Sequence, residues 1–137
     1  MATWRALLPL LATAALGALA TGCSHARPSS SPGSEEEGEA SFYSRSVEGR
    51  PTASGTIYQA ERMTCAHRTH PFGTWLRVTR LDDERRSVEV VVEDRGPFVS
   101  GRIVDLSWAA ARKLGMLGDG VIPVRVRVRG RSATGAR

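Results

Sequence analysis

The chain has 137 residues, 41% hydrophobic and 24% charged, with 19 basic against 14 acidic side chains and a formal net charge of +5. That length without an internal repeat leaves room for one ordinary domain plus accessory segments and excludes a repeat array. With only two cysteines, a disulfide-stapled scaffold is excluded as well.

The accessory segments come first. Met1 to Gly22 carries Arg5 near its start and then an apolar stretch from Ala6 to Ala20, broken by Pro9, Thr13 and Gly17. This is short for a membrane span and fits an export signal over residues 1–22. It ends "LATGC", which resembles a bacterial lipobox, so Cys23 is expected to carry lipid and become the mature N-terminus, anchoring the protein to a membrane. Ser24 after it is compatible with sorting to the periplasmic face of the outer membrane in a diderm cell. "HARPSSSPGSEEEGE", from His25 to Glu39, has no aromatic or β-branched residue. Such a composition buries too little apolar surface to offset its ordering entropy, so 23–39 reads as a disordered tether, with an r.m.s. span of about 20–25 Å. The folded domain is then 40–130 and the tail 131–137 is disordered.

Setting aside Arg5, Arg27 and the four glutamates before Ala40 leaves the rest at about +7 by formal count. A basic surface favours anionic polymers. An exported, membrane-tethered protein does not meet nucleic acid, so a cell-envelope polymer or lipid headgroups satisfy that charge. An arginine-rich composition from a GC-rich genome is the bland alternative.

Within the folded part, "SFYS" (Ser41 to Ser44), "RMTCAH" (Arg62 to His67), "TWLRVTR" (Thr74 to Arg80), "RSVEVVVED" (Arg86 to Asp94) and "IPVRVRVR" (Ile122 to Arg129) read as strands. In the last, Ile122, Val124, Val126 and Val128 share one face and Arg125, Arg127 and Arg129 the other. "LDDERR" is a polar hairpin loop. One helix is expected, capped by Ser107, filled by Trp108 to Leu114 and stopped by Gly115. Short strands with little helix predict a small barrel rather than a sandwich.

Parity along the fourth of these strands separates its two terminal acids. Val88, Val90 and Val92 point inward, and Asp94 continues on their side, whereas Glu93 faces solvent. A carboxyl beside a core can act as general acid or base; it can equally cap the turn made by Arg95-Gly96-Pro97. Cys65, His67 and His70 are potential metal ligands, but C-x-H-x-x-H matches no common zinc signature, and no metal is expected. Cys65 reads as a small buried thiol. Trp75 and Trp108 sit in periodic apolar patterns, which favours core packing over stacking on sugars.

Several segments in order, "ASFYS", "GRPTASG", "MTCAHRTHPFGTWLRVT", "SVEVVVEDRGPF", "GRIVDLSWAAARKLG" and "VRVRV", resemble the rare lipoprotein A family over Ala40 to Val128. The resemblance implies a mainly β fold, a six-stranded double-psi β-barrel with one or two short helices, related to expansins and barwin-like domains. It implies a lytic transglycosylase that cleaves the MurNAc–GlcNAc bond of peptidoglycan without water, leaves a 1,6-anhydro end and prefers strands free of stem peptides. Asp94 occupies the family's essential acid/base Asp, and His67 the His that assists it. Thr52, Ser54, Thr56, Arg95, Arg102 and Asp105 are the expected substrate contacts, Arg102 and Asp105 having a structural ion pair as their alternative role. His70 stands at a variable family position and reads as a surface residue. No cofactor is implied, and the protein is expected to be a monomer. Thr56 stands where the active members carry Glu, and Glu93 where they carry Asn. A hydroxyl does not replace a carboxylate as acid or base, so the competing reading is a non-catalytic peptidoglycan-binding lipoprotein on the same barrel.

Overall fold

Alternation builds the wall of this protein. In the computed structural model, which describes residues 30–132, Val88, Val90 and Val92 lie at 0–2% exposure, as do Val124, Val126 and Val128. The arginines between the latter three face out or stay half-buried. Each fully buried aliphatic side chain contributes about 1.5–3 kcal/mol relative to leaving it in water. The strands are β1 (Glu35–Phe42), β2 (Thr64–His67), β3 (Thr74–Arg80), β4 (Ser87–Asp94), β5 (Arg102–Leu106) and β6 (Ile122–Arg131). Helix α1 (Trp108–Leu114) lies between the last two, and a short 3-10 turn, Arg45–Val47, follows β1.

The six strands close in the order β1, β5, β2, β4, β3, β6. β3 and β4 form the expected antiparallel hairpin, whereas β1 with β5 and β2 with β4 are parallel pairs. Parallel neighbours cannot be joined by a tight turn. Long connections therefore run over the barrel, and the one between β1 and β2 carries the 50–58 loop onto the end of β4, where Ser54 N donates to Glu93 O at 3.2 Å. α1 is capped as its sequence dictates: Ser107 Oγ accepts from Ala110 N at 3.2 Å, and Gly115 closes it in the left-handed region at φ 74°. Its Ala110, Ala111 and Leu114 pack into the core.

Three expectations change. First, the ordered chain does not begin at Ala40: β1 starts at Glu35 and pairs with β6 from Glu35↔Arg127 to Ala40↔Ile122. A polar segment is ordered here because the ladder itself closes the barrel, leaving no strand edge unpaired. Cross-strand pairs Glu37–Arg125 (2.9 Å) and Glu35–Arg127 (3.5 Å) set its charge pattern, and Gly38 admits close approach, since a Cβ there would lie 2.6 Å from Ile103 Cγ2. Residues of the expected tether before Ser30, together with the export signal and Cys23, lie outside the described residues, as does the tail beyond Ser132. β6 itself continues through Arg131.

Second, the alternation pattern does not reveal β5, because "RIVDL" places Ile103 and Val104 in succession and both are buried. Trp75 also departs from expectation. Its neighbours Thr74 and Leu76 point inward, so the indole stands on the outer face of β3, 38% exposed, donating from Nε1 to Ser132 Oγ at 3.2 Å. Trp108 is half-buried and meets Phe42 edge-on at 5.8 Å.

Candidate active site

Asp94 ends β4 beside Ala66 of β2, at a register shift that follows Cys65↔Val92. Its carboxylate is held from three sides. Ala53 N donates to Oδ1 at 2.9 Å, Arg95 N to the same atom at 2.8 Å, and Tyr43 Oη donates to Oδ2 at 2.9 Å. Gly96 then turns the chain at φ 124°, a value that favours glycine. Asp94 and Tyr43 line a pocket of about 150 Å³ with Val47, Arg50, Pro51, Thr52 and Tyr58. Asp94 thus caps the turn after β4 and also lines a cavity.

Glu93 is not solvated as parity alone suggests. Its side chain is only 12% exposed, because Arg62 reaches across to bond Oε1 at 2.8 Å and Oε2 at 3.3 Å. The returning 50–58 loop adds Thr56, whose hydroxyl donates to Oε2 at 3.3 Å. Thr56 belongs to a triangle of hydroxyls with Thr52 and Ser54, each pair 2.9–3.1 Å apart. Of the three, Thr52 lines the Asp94 pocket, and its hydroxyl network leads to Glu93.

His67 sits elsewhere. Its ring is buried and stacks on His70 at 4.1 Å, and its Nε2 lies 2.5 Å from Glu36 Oε1. Among the described residues no hydrogen bond joins it to Asp94. His70, expected at the surface, is 2% exposed, with Nε2 3.4 Å from the same Glu36 oxygen. The ligating atoms of Glu36, His67 and His70 lie within 4.8 Å of one another. The hydrogen bonds nevertheless argue for a proton rather than a metal between them. His67 Nδ1 accepts from Thr69 N at 3.2 Å and His70 N at 3.1 Å, which places the ring proton on Nε2, where a metal would need a lone pair. Cys65 takes no part: it is buried in the core, and burial pushes its thiol well above the usual range.

Electrostatics couples this cluster to stability. Burial would raise the Glu36 carboxyl, but hydrogen bonds from His67 and His70 and their charges outweigh it and bring the pKa from 4.5 to about 2. Burial lowers His67, against the pull of Glu36. Both groups bind fewer protons folded than unfolded, so stability is greatest above the unfolded histidine value and declines as pH falls. The Glu36 contribution is complete above 4.5 and fades as pH drops toward 2, a loss on the order of 2–3 kcal/mol. Glu36→Gln keeps an acceptor for Nε2 but removes the charge. Chemical denaturation at several pH values is expected to show a flatter decline below pH 4.5 in this variant than in the parent.

The remaining expected contacts are largely engaged by the fold. Arg95 donates to the carbonyls of His67 at 3.1 Å and His70 at 3.0 Å, and its guanidinium lies 3.8 Å over the Phe72 ring. Arg102 pairs with Asp105 at 2.6 Å, and both bond Ser41, which favours the structural role for this pair. Sequence reasoning missed Tyr43, Arg50 and Tyr58 as site residues. Their only local signal is a tyrosine directly after a strand, and what makes Tyr43 part of the site is a bond to a residue 51 positions away.

Residues 35–126 match the family described as lytic transglycolase. The chain is 56% identical over 97 residues to the probable endolytic peptidoglycan transglycosylase RlpA of Nostoc sp. (strain PCC 7120 / SAG 25.82 / UTEX 2576), covering 69% of this chain and 26% of that protein. It is 49% identical over 96 residues to the endolytic peptidoglycan transglycosylase RlpA of Pasteurella multocida (strain Pm70), covering 70% and 32%. The chain thus spans about a quarter to a third of the length of these relatives. Among solved structures it resembles a mutant Clavibacter michiganensis expansin in complex with cellohexaose, with TM-score 0.53 and 26% identity over 74% of this chain and 53% of that one. A closed six-stranded barrel with parallel crossings, an acid at the end of β4 and this match over 35–126 place the chain in the lytic transglycolase family, on a double-psi β-barrel.

Proposed function

We propose that the protein is a lytic transglycosylase of peptidoglycan glycan strands, cleaving the MurNAc–GlcNAc bond to leave a 1,6-anhydro end, with Asp94 as acid and then base. The observation that carries this reading is the Asp94 carboxylate, fixed by two backbone N–H groups on one oxygen, on a residue that lines a pocket. An intramolecular attack by the sugar's own 6-hydroxyl needs one proton delivered and one removed, which a single carboxyl can perform in sequence. The relatives are named endolytic peptidoglycan transglycosylases. Thr52 lines the same pocket, and Phe98, 81% accessible on the loop after Asp94, offers a ring on which a sugar can stack. Lipid on Cys23 holds the barrel at the cell envelope as a monomer, and strands free of stem peptides are the preferred substrate.

His67 supports this site through the fold, since its ring is turned to Glu36 and its carbonyl receives Arg95. A second reading, a glycan-binding barrel without turnover, is favoured by Thr56 in place of a carboxylate and by the likeness to an expansin in complex with cellohexaose. Incubating the protein with intact and with peptide-stripped sacculi and analysing the soluble products separates the two. The expected result is new 1,6-anhydro ends, more from the stripped material. Sedimentation with sacculi and no such ends would establish the binding module instead.

A further inference from the structure

The lone pairs of Asp94 can be counted, and the count singles out one atom. A carboxylate offers four acceptor positions, two on each oxygen. On Oδ1 both are taken by backbone N–H groups, of Ala53 and Arg95, which no side-chain rotation can withdraw. On Oδ2 one is taken by the hydroxyl of Tyr43. Among the described residues, a single position on Oδ2 is left, on a residue that lines the pocket together with Tyr43 itself.

We propose that Tyr43 is the positioning residue that confines the proton chemistry of Asp94 to Oδ2. The proposal rests on the transglycosylase reading above and adds to it the atom that acts and the side chain that selects it. As the C1–O bond breaks, the proton on Oδ2 passes to the glycosidic oxygen. The 6-hydroxyl closes on C1, and its proton returns to Oδ2. Both transfers use the same lone pair, so no proton is gained or lost over the cycle and the carboxyl need not rotate between them.

Tyr43 is built to remain a donor throughout. Burial first, then the charges of Asp94 and Asp105, push its hydroxyl far above the usual phenol range, so it does not ionise in competition with the carboxyl. Its backbone N–H is bonded to Leu106 O at 2.9 Å, and its ring lies 5.3 Å from that of Tyr58. Tyr58 is itself fixed, its hydroxyl accepting from Trp108 N at 3.1 Å at the start of α1. The donor therefore belongs to a rigid end of the barrel, as precise positioning requires.

Tyr43→Phe keeps the ring and deletes only the hydroxyl. In the full chain, two measurements decide the matter. With glycan strands as substrate, kcat is expected to fall about 10–100-fold with KM within about threefold, and the alkaline limb of the pH profile to move to higher pH, because Asp94 begins each cycle protonated and a carboxylate that loses a donor holds its proton more firmly. Independently of turnover, the ¹³C carboxyl resonance of Asp94 is expected to titrate at higher pH in Tyr43→Phe than in the parent. A purely structural tyrosine would lower thermal stability without moving either titration. Unchanged titration of Asp94 in a folded Tyr43→Phe protein would overturn the proposal, as would raised KM with unaltered kcat. A parent that makes no anhydro ends while the resonance shifts as expected would overturn the transglycosylase reading and leave the role of Tyr43 standing.

Discussion

Asp94→Asn is expected to abolish product formation, lowering the rate of anhydro-end release by about 10³-fold or more while the barrel stays folded. The substitution is close to isosteric. The amide oxygen can keep the hydrogen bonds from Ala53 N and Arg95 N, and the amide nitrogen can donate to the Tyr43 hydroxyl, which accepts as readily as it donates. The turn after β4 therefore survives, and thermal melting should shift by only a few degrees. The ability to give and take a proton does not survive, and one group performs both transfers, so the loss falls at the upper end of what general acid–base catalysis supplies. Product analysis with parent and variant at equal concentration, beside melting curves of both, reads the effect. Retained activity in a folded Asp94→Asn protein would remove Asp94 from the chemistry and leave Glu93 and Asp105 as the acids to test, both already paired with arginines.

A chain that begins at Ala40 is expected not to fold cooperatively, whereas one that begins at Ser30 should melt in a single transition. Five of the six registered pairs between β1 and β6, from Glu35↔Arg127 to Glu39↔Pro123, precede Ala40. Their removal opens the barrel along β6 and strips Val124 and Val126 of cover. It also removes Glu36, leaving His67 Nε2 buried without its acceptor. An unsatisfied buried polar group costs about 1–3 kcal/mol by itself. Together with the lost ladder this approaches the whole stability of a small domain, about 5–15 kcal/mol. Circular dichroism during heating of the two chains checks the claim; equal midpoints would mean that residues 30–39 are dispensable.

The surface ion pairs of the same strand carry little of this effect. Glu37–Arg125 and Glu35–Arg127 are partly exposed, and pairs of that kind contribute about 0–1 kcal/mol each. What orders β1 is backbone pairing on both sides together with one inward carboxylate.

Local order in this protein is written in the sequence. Val88, Val90 and Val92 face the core, Ile122 to Val128 alternate with arginines, Ser107 and Gly115 bound α1, and the loop from Leu81 to Arg86 turns a hairpin. Each of these depends on residues within a few positions of one another, where side-chain periodicity and capping act directly. Asp94, too, stood out as the acid at the end of a buried strand. The rest was decided by closure of the barrel. The acidic run before Ala40 looks like a solvated tether until β6 and β5 lie beside it, and Glu36 meets two histidines only because strands far apart in sequence become neighbours. Tyr43 reaches Asp94 across 51 residues, and Glu93 loses its solvent to a loop returning from the parallel crossing. Parallel pairing carries no turn signal, and a register shift reassigns side chains without any mark in the composition. Composition and periodicity therefore determine which residues enter the wall of the barrel, while the site at its end exists only once the crossings have brought β1, the 50–58 loop and β4 together.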